Sequence, residues 1–266
     1  MALRLLPALG LAAALAVGVW LRPAVAQSFA RQIPMHGVFV LVTMDRVTWQ
    51  PYEYGTGFFF DAVGDAYTAS NVVRDAVKDP YLMLVALVDG AEYAVHVACW
   101  NPGSTDRPRT PNRDVAVVHV GPDVPDFPLW SYHPATVPLS VVPLPIDAGG
   151  PPADGQRVRV LGFGGRRGDR IPEQETPGSV RDVLRTGDGT EILTVAFPGG
   201  GPANGNAGAP VVNGAGSVIG IAVWQVASAG SQDAVEVSGV AAASLGCVAT
   251  LPSGSSSPFP APVRPL

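Results

Sequence analysis

The groups of this chain that could do chemistry lie in three short strings. Residues 55–73 read GTGFFFDAVGDAYTASNVV, residues 113–118 read RDVAVV, and residues 205–213 read GNAGAPVVN. They carry an amide at Asn71, a carboxylate at Asp114, and a glycine-rich loop around Ala207. An amide has no pKa near neutrality and a methyl group is no nucleophile, so this set favours binding over catalysis.

The order and spacing of these strings are those of a known family. Asn71, Asp114 and Ala207 lie 43 and 93 residues apart. The strings resemble those of the bacterial trypsin-like (HtrA-type) serine proteases of the chymotrypsin superfamily, which read G-S-G-F and T-x-x-H-V, then D-[LIV]-A-[LIV], then G-N-S-G-G-P-[LV]. The resemblance covers roughly residues 35–250. It implies an all-β fold of two six-stranded antiparallel β-barrels with an active-site cleft between them.

The resemblance also shows which catalytic groups are replaced. Asn71 stands where the family has its general-base histidine, and Ala207 stands where it has its nucleophilic serine. Only Asp114 matches the triad. Because the triad works as a unit, its loss leaves at most about 10³–10⁴-fold over water. We therefore expect a serine protease homologue without peptidase activity, a pseudoprotease.

The remaining positions of the family's site suggest structural roles. We predict that Asn71 donates a hydrogen bond to Asp114, which would otherwise be a stranded buried carboxylate; the alternative is that Asp114 caps a turn before a strand. Gly205 and the N–H of Ala207 correspond to the oxyanion hole, which does not need the serine side chain. Ala209 replaces a family glycine, so the loop would be distorted if that position required a positive φ or a close backbone approach.

A relocated catalytic group is the alternative for function. Four histidines could act as a displaced base: His36, His96, His119 and His133. Each is more often a surface or partly buried side chain than a base. Ser70 adjoins Asn71 but lies in the string that supplies the base, and Arg166 with Arg167 is more simply a solvated loop than an anion clamp.

The elements that must position these groups are short strands. Runs of four to eight residues rich in Val, Phe and Tyr, separated by turn residues, indicate an all-β barrel or sandwich. We predict strands at 36–42, 57–60, 81–88, 93–100, 115–120, 157–163, 191–197, 210–213, 218–224 and 235–241. Barrel one is expected at about 35–120, a Pro-rich connector at 121–155, barrel two at 156–250, and a Pro/Ser-rich tail at 252–266.

Composition excludes several classes of protein. The 31 Gly and 27 Pro in 266 residues leave little room for long uninterrupted helices, so helical bundles are excluded. The net charge of −5 and the lack of a basic run argue against nucleic-acid partners. No metal-ligand spacing and no phosphate or dinucleotide fingerprint is present, so we predict no metal and no cofactor.

The N-terminus predicts export. Residues 1–26 show Arg4, an apolar run over 5–21 and the small-residue pattern Ala-Val-Ala before Gln27, as in a secretory signal cleaved after Ala26. An uncleaved anchor is the alternative, although 17 residues are short for a bilayer. Cleavage would change the net charge from −5 to −7, and no later segment could insert stably in a membrane.

Export also bears on the two cysteines, Cys99 and Cys247. In an oxidising compartment they could pair, closing a loop worth about 4–5 kcal/mol on the loop-entropy model. Two buried free thiols are the alternative.

Taken together, the sequence predicts a periplasmic or extracellular pseudoenzyme that binds a peptide or protein in the inter-barrel cleft, by strand addition. The alternatives are an active serine-type endopeptidase with a relocated nucleophile or base, and a structural envelope protein whose cleft has no function. Failure to retain any peptide would favour the last.

Overall fold

The structure is a computed structural model. It describes residues 37–100, 115–121, 138–147, 149–165, 171–185, 191–198, 201–228, 231–239 and 249–250. These ranges contain thirteen strands and one helix. Asp114, Cys247, His36, His133, Arg166 and Arg167 lie outside them, as do the expected signal (1–26) and tail (252–266). No described helix is long and apolar enough to cross a membrane.

Six antiparallel strands form the first barrel. They pair in the order β5-β4-β1-β2-β3-β6, and β6 pairs back onto β5, which brings the two ends of the run together. Their bounds are β1 Val38–Asp45, β2 Pro51–Phe59, β3 Asp65–Ala69, β4 Leu82–Val88, β5 Ala91–Trp100 and β6 Val115–Val120.

The sequences of β1 and β4 explain why this barrel is stable. Both read as nearly continuous apolar runs, VFVLVTM and LMLVALV, and both are buried on their two faces. Aromatic rings pack within this barrel, with the centroids of Phe39 and Phe59 4.7 Å apart. Part of the barrel is covered by a helix, α1 (Ser70–Lys78), which packs against β1, β4 and β5. Continuous apolar runs are therefore required here, rather than alternation.

Helix α1 begins directly after β3 and closes one end of the first barrel. Val72 and Val73 are its buried apolar residues, and the buried Ser70 hydroxyl donates to the carbonyl of Val115 at 2.8 Å. At the other end, the Lys78 ammonium lies 5.9 Å from the centre of the Trp100 ring. The helix is thus held to β6 at its start and faces β5 at its end.

The second barrel is a closed ring of six antiparallel strands. Its order is β10-β11-β12-β9-β8-β7, with β10 paired back to β7. The strands are β7 Arg157–Phe163, β8 Glu173–Arg185, β9 Glu191–Ala196, β10 Pro210–Val212, β11 Val218–Ser228 and β12 Ser231–Gly239. The prediction of an all-β fold with two six-stranded barrels is confirmed.

Residues 138–147 of the connector run from one barrel to the other. The Leu144 N–H donates to the carbonyl of Phe59 in the first barrel. Three residues later, Asp147 bonds by its N–H to Val218 and accepts the Asn213 amide at 2.8 Å in the second. Short hydrogen bonds therefore fix this part of the connector on both sides.

The structure departs from the sequence expectations in four elements. Strand β3 and helix α1 lie between predicted runs. Strand β8 was not predicted because its sequence, EQETPGSVRDVLR, buries few apolar side chains and is held in place by pairing with β7 and β9. The last strand, β13 (Ala249–Thr250), pairs with β5 of the first barrel. The expected limit of barrel two at residue 250 is corrected accordingly: the chain returns to cover the β5 edge.

Candidate functional site

A single buried threonine holds the loop around Ala207. The Thr56 N–H donates to the carbonyl of Ala207 at 2.8 Å, and its hydroxyl donates to the carbonyl of Gly205 at 2.8 Å. The same hydroxyl accepts the N–H of Phe163 at 3.1 Å, and the Thr56 carbonyl accepts the Thr68 hydroxyl at 2.7 Å. These four bonds connect β2 with the loop, with β7 and with β3, so they join the two barrels at the candidate site.

Two glycines give this loop its shape. Gly205 has φ +102°, and a Cβ there would overlap the ring of Tyr54. Gly208 has φ +88°, and a Cβ there would overlap the carbonyl oxygen of Thr56 and reach the N of Ala69 at 2.9 Å. Both positions need a left-handed backbone and a close approach, which only glycine allows. Gly208 thereby packs the loop against the residue that precedes α1.

Ala209 does not distort the loop. Its φ is not positive, its side chain is fully buried, and its N–H and carbonyl are bonded to Asn206 and Ala222. The methyl group faces Gly162, where an added Cβ would come within 2.9 Å of it. A glycine on the neighbouring strand thus provides the room that alanine needs.

The side chain of Asn206 fixes the other side of the loop. It is 3% exposed, and its Nδ2 donates to Oε1 of Gln174 and to the carbonyl of Ala203, both at 2.9 Å. A Cβ on Gly162 or Gly164 would overlap this amide, so both glycines leave space for it. Sequence reasoning missed Gln174, because β8 carries no hydrophobic pattern that would place it here.

Asn71 lies in the first turn of α1, at the junction that the loop packs against. Its Oδ1 is buried and has no hydrogen-bond partner within the described part of the chain. Gly55 brings this helix near the loop, since a Cβ there would overlap Val72 and lie 3.0 Å from the carbonyl of Ala207. The structure therefore brings the Asn71 and Ala207 strings to one place between the barrels.

The Asp114 string reaches the same junction. Val115, the residue after Asp114, accepts the Ser70 hydroxyl through its carbonyl. Ser70 is fully buried and used as a donor to the main chain, which gives it a structural role. Because Asp114 lies outside the described residues, the Asn71–Asp114 hydrogen bond stays a prediction.

The backbone N–H groups of Gly205 and Ala207 have no acceptor among the described residues. The preceding carbonyls are occupied: that of Asn204 accepts the Gly165 N–H, and that of Asn206 accepts the Ala209 N–H. In a trans peptide the N–H points opposite to its carbonyl, so both donors point away from these internal partners. Such a pair of oriented donors is able to bind a negatively charged oxygen.

Three charged side chains near α1 interact with one another. Arg74 Nε contacts Asp75 Oδ1 at 2.8 Å. Burial raises the pKa of Glu53, Asp75 raises it further, and Arg74 lowers it. One guanidinium therefore compensates one of the two carboxylates of this group.

The described histidines lie on the first barrel, away from this junction. His119 Nδ1 is 2.7 Å from Asp65 Oδ1, and His96 faces His119 across β5 and β6. Asp65 begins β3 and Ala69 ends it, which is about 13 Å of extended strand. Neither is placed to act as a base for the loop. Among the described residues, no group of three or more His, Cys, Asp or Glu side chains could hold a metal.

Cys99 is disulfide-bonded. It lies on β5 opposite Thr250 of β13, and Cys247 is the only other cysteine in the chain.

Comparison with known proteins agrees with this architecture. Residues 55–221 match the family model of the trypsin-like peptidase domain, so the chain belongs to that family. No curated protein matches it. The active form of the Rv3671c protease from M. tuberculosis superposes with a TM-score of 0.55 at 18% identity, covering 82% of this chain and 83% of that one. The serine endoprotease from Yersinia pestis gives 0.52 at 16% identity, covering 82% of this chain and 62% of that one. At these identities the likeness shows a shared trypsin-like double-barrel fold.

The anchoring role of Thr56 predicts a large effect of removing its hydroxyl. Thr56→Val leaves the Gly205 carbonyl and the Phe163 N–H buried without their partner, which should lower the free energy of unfolding by about 2–4 kcal/mol. Thr43→Val is the matched control, since Thr43 is equally buried but makes one 3.4 Å bond, to Val72; it should cost less than about 1 kcal/mol. Urea unfolding measures the free energy of unfolding of both variants. Equal losses in the two would contradict the anchoring role of Thr56.

The packing of Gly208 predicts that an alanine there is more destabilising than an alanine at another glycine of positive φ. Gly208→Ala combines left-handed strain with backbone overlap and should cost about 3–5 kcal/mol. Gly216→Ala has the same sign of φ, +84°, but nothing within 4 Å of the added Cβ, so it should cost about 1–2 kcal/mol. Thermal and urea unfolding of both variants test this. A Gly208→Ala protein as stable as Gly216→Ala would show that the loop is not packed as described.

Proposed function

We propose that this chain is a non-catalytic trypsin-like protein that binds peptides or protein segments in the cleft between its barrels. The observation that carries the proposal is Ala207: a methyl group stands at the centre of a loop whose two backbone donors are oriented and without a described acceptor. The loop keeps a binding function and lacks a nucleophile at the position where the family supplies it.

The way the loop is held supports this proposal. Its geometry depends on Thr56, Gly205, Gly208 and Asn206, and on no side chain that takes part in acyl transfer. Loss of the serine and histidine therefore leaves the donors in place. An extended peptide could add its own main-chain hydrogen bonds along a cleft strand, with side-chain pockets giving preference.

The described residues of the junction also supply no histidine or free hydroxyl for proton transfer. Asn71 offers an amide, which cannot shuttle a proton near neutral pH. Ser70 donates to Val115 inside the core, and His119 is committed to Asp65 at the far end of β3. These observations favour the binding protein over a peptidase with a relocated nucleophile or base.

Inactivity is testable by restoring the missing groups. The mature wild-type chain should neither hydrolyse unfolded casein nor be labelled by a fluorophosphonate. The double variant Asn71→His/Ala207→Ser should be labelled, because a hydroxyl and an imidazole would return to a loop whose donors are already oriented. Ala207→Ser alone, which restores the nucleophile without a base, is the matched control and should be labelled far more slowly.

Labelling or hydrolysis by the wild-type chain would contradict the proposal and indicate another nucleophile. A folded double variant that stays unlabelled would show that the cleft no longer has a protease geometry.

We further propose that the protein acts after export, in the periplasm or outside the cell. The disulfide at Cys99 supports this, because such bonds persist in oxidising compartments. Expression with export should give a mature chain that begins at Gln27, measurable by intact mass. A chain that retains residues 1–26 in the membrane fraction would favour an uncleaved anchor.

A further inference from the structure

We propose that the donor pair at Gly205 and Ala207 binds the free C-terminal carboxylate of a peptide. This inference rests on the proposed function and names its ligand class: peptides that end in the cleft, in preference to chains that pass through it. Three features of the site support it: the charge that the loop can stabilise, the space at Ala207 and the electrostatics of the adjoining helix.

The first step is the charge preference of the loop. Two backbone N–H groups without described acceptors lie between residues of positive φ, Gly205 and Gly208. Clustered backbone donors of this kind form concave anion sites and capture terminal carboxylates. A hydrogen bond to an ionised acceptor is roughly twice as strong as one to a neutral carbonyl. The loop is therefore better matched to a carboxylate than to an internal peptide bond.

The second step is the space at residue 207. Alanine has no hydroxyl, so no side-chain oxygen of its own competes for the donors or repels an incoming anion there. A carboxylate also has two oxygens, where a peptide carbonyl has one. The amide of Asn71 lies at the same junction and stays uncharged at every working pH, so it does not repel an anion.

The third step is the field of helix α1. Its N-cap residue, Ala69, makes no side-chain capping bond, and its first turn contains no acidic residue. The first N–H groups of a helix and its dipole favour negative charge nearby. Gly208 packs directly against Ala69, so the helix start and the loop donors act on one region.

The negative net charge of the whole chain does not determine whether this loop prefers an anionic ligand. Exposed charges are largely screened beyond about 8 Å at physiological ionic strength. Within the helix, Arg74 and Asp75 pair with each other, and Arg74 also acts on Glu53. The backbone donors of the loop and of the helix start are the described groups that favour an anion here.

The test compares two peptide libraries that differ in one group. Acetylated peptides with five randomised positions are prepared with a free carboxylate and, in parallel, with a C-terminal amide. The mature full chain is incubated with both, and retained peptides are identified and their Kd values measured by fluorescence anisotropy. We expect at least tenfold tighter binding of the free acids than of the identical amides.

Two variants at the half-buried position 207 control for the charge. Ala207→Asp should abolish the preference for the free acid, because it places a carboxylate beside the donors. Ala207→Asn has nearly the same shape without the charge and should keep a preference above threefold. Unfolding curves of both variants establish that they are folded.

Each outcome bears on the inference. Tenfold preference that Ala207→Asp removes and Ala207→Asn retains supports it. Equal binding of acids and amides overturns it while leaving the proposed function intact. Retention of neither library overturns both, and a preference that survives Ala207→Asp shows that the carboxylate binds elsewhere and also overturns it.

Discussion

The hydrogen bonds of Thr56 are the constraint on which the candidate site depends. One buried residue on β2 bonds to the loop at two carbonyls, to β7 through Phe163 and to β3 through Thr68. Each bond satisfies a polar group in the interior between the barrels, where an unpaired group would cost about 1–3 kcal/mol. Since the bonds share one side chain and its own backbone, the two barrels and the loop cannot shift independently.

This arrangement separates the shape of the site from the chemistry that such sites perform. Hydrogen bonds to main-chain carbonyls and the conformations of the glycines determine the shape of the loop. Neither depends on whether residue 207 carries a hydroxyl. The pair of Gly162 and Ala209 is consistent with this, because the missing Cβ of Gly162 leaves room for the methyl group of Ala209. A cleft with such support can lose its triad and keep its form.

The sequence was sufficient for the fold, but not for the contacts that support the candidate site. Apolar runs such as VFVLVTM predicted strands, and three spaced strings predicted which segments would meet. Gln174 and β8 were missed because their roles come from pairing and buried hydrogen bonds, which leave no hydrophobic pattern. The pairing of β13 with β5 was missed because a two-residue edge strand depends on tertiary contact alone. The Asp114 side of the site stays a prediction.

A donor pair of this kind has a different preference once the nucleophile is gone. In a protease the pair is useful because negative charge develops on the carbonyl oxygen in the transition state, and binding is tighter there than in the ground state. Without a hydroxyl at residue 207 that charge never develops on a bound peptide bond. The only oxygen that can offer the loop a full charge is one that is ionised before it arrives. Under the proposed function, the loss of catalysis converts a site for a transient anion into a site for a permanent one, such as the carboxylate at the C-terminus of a peptide.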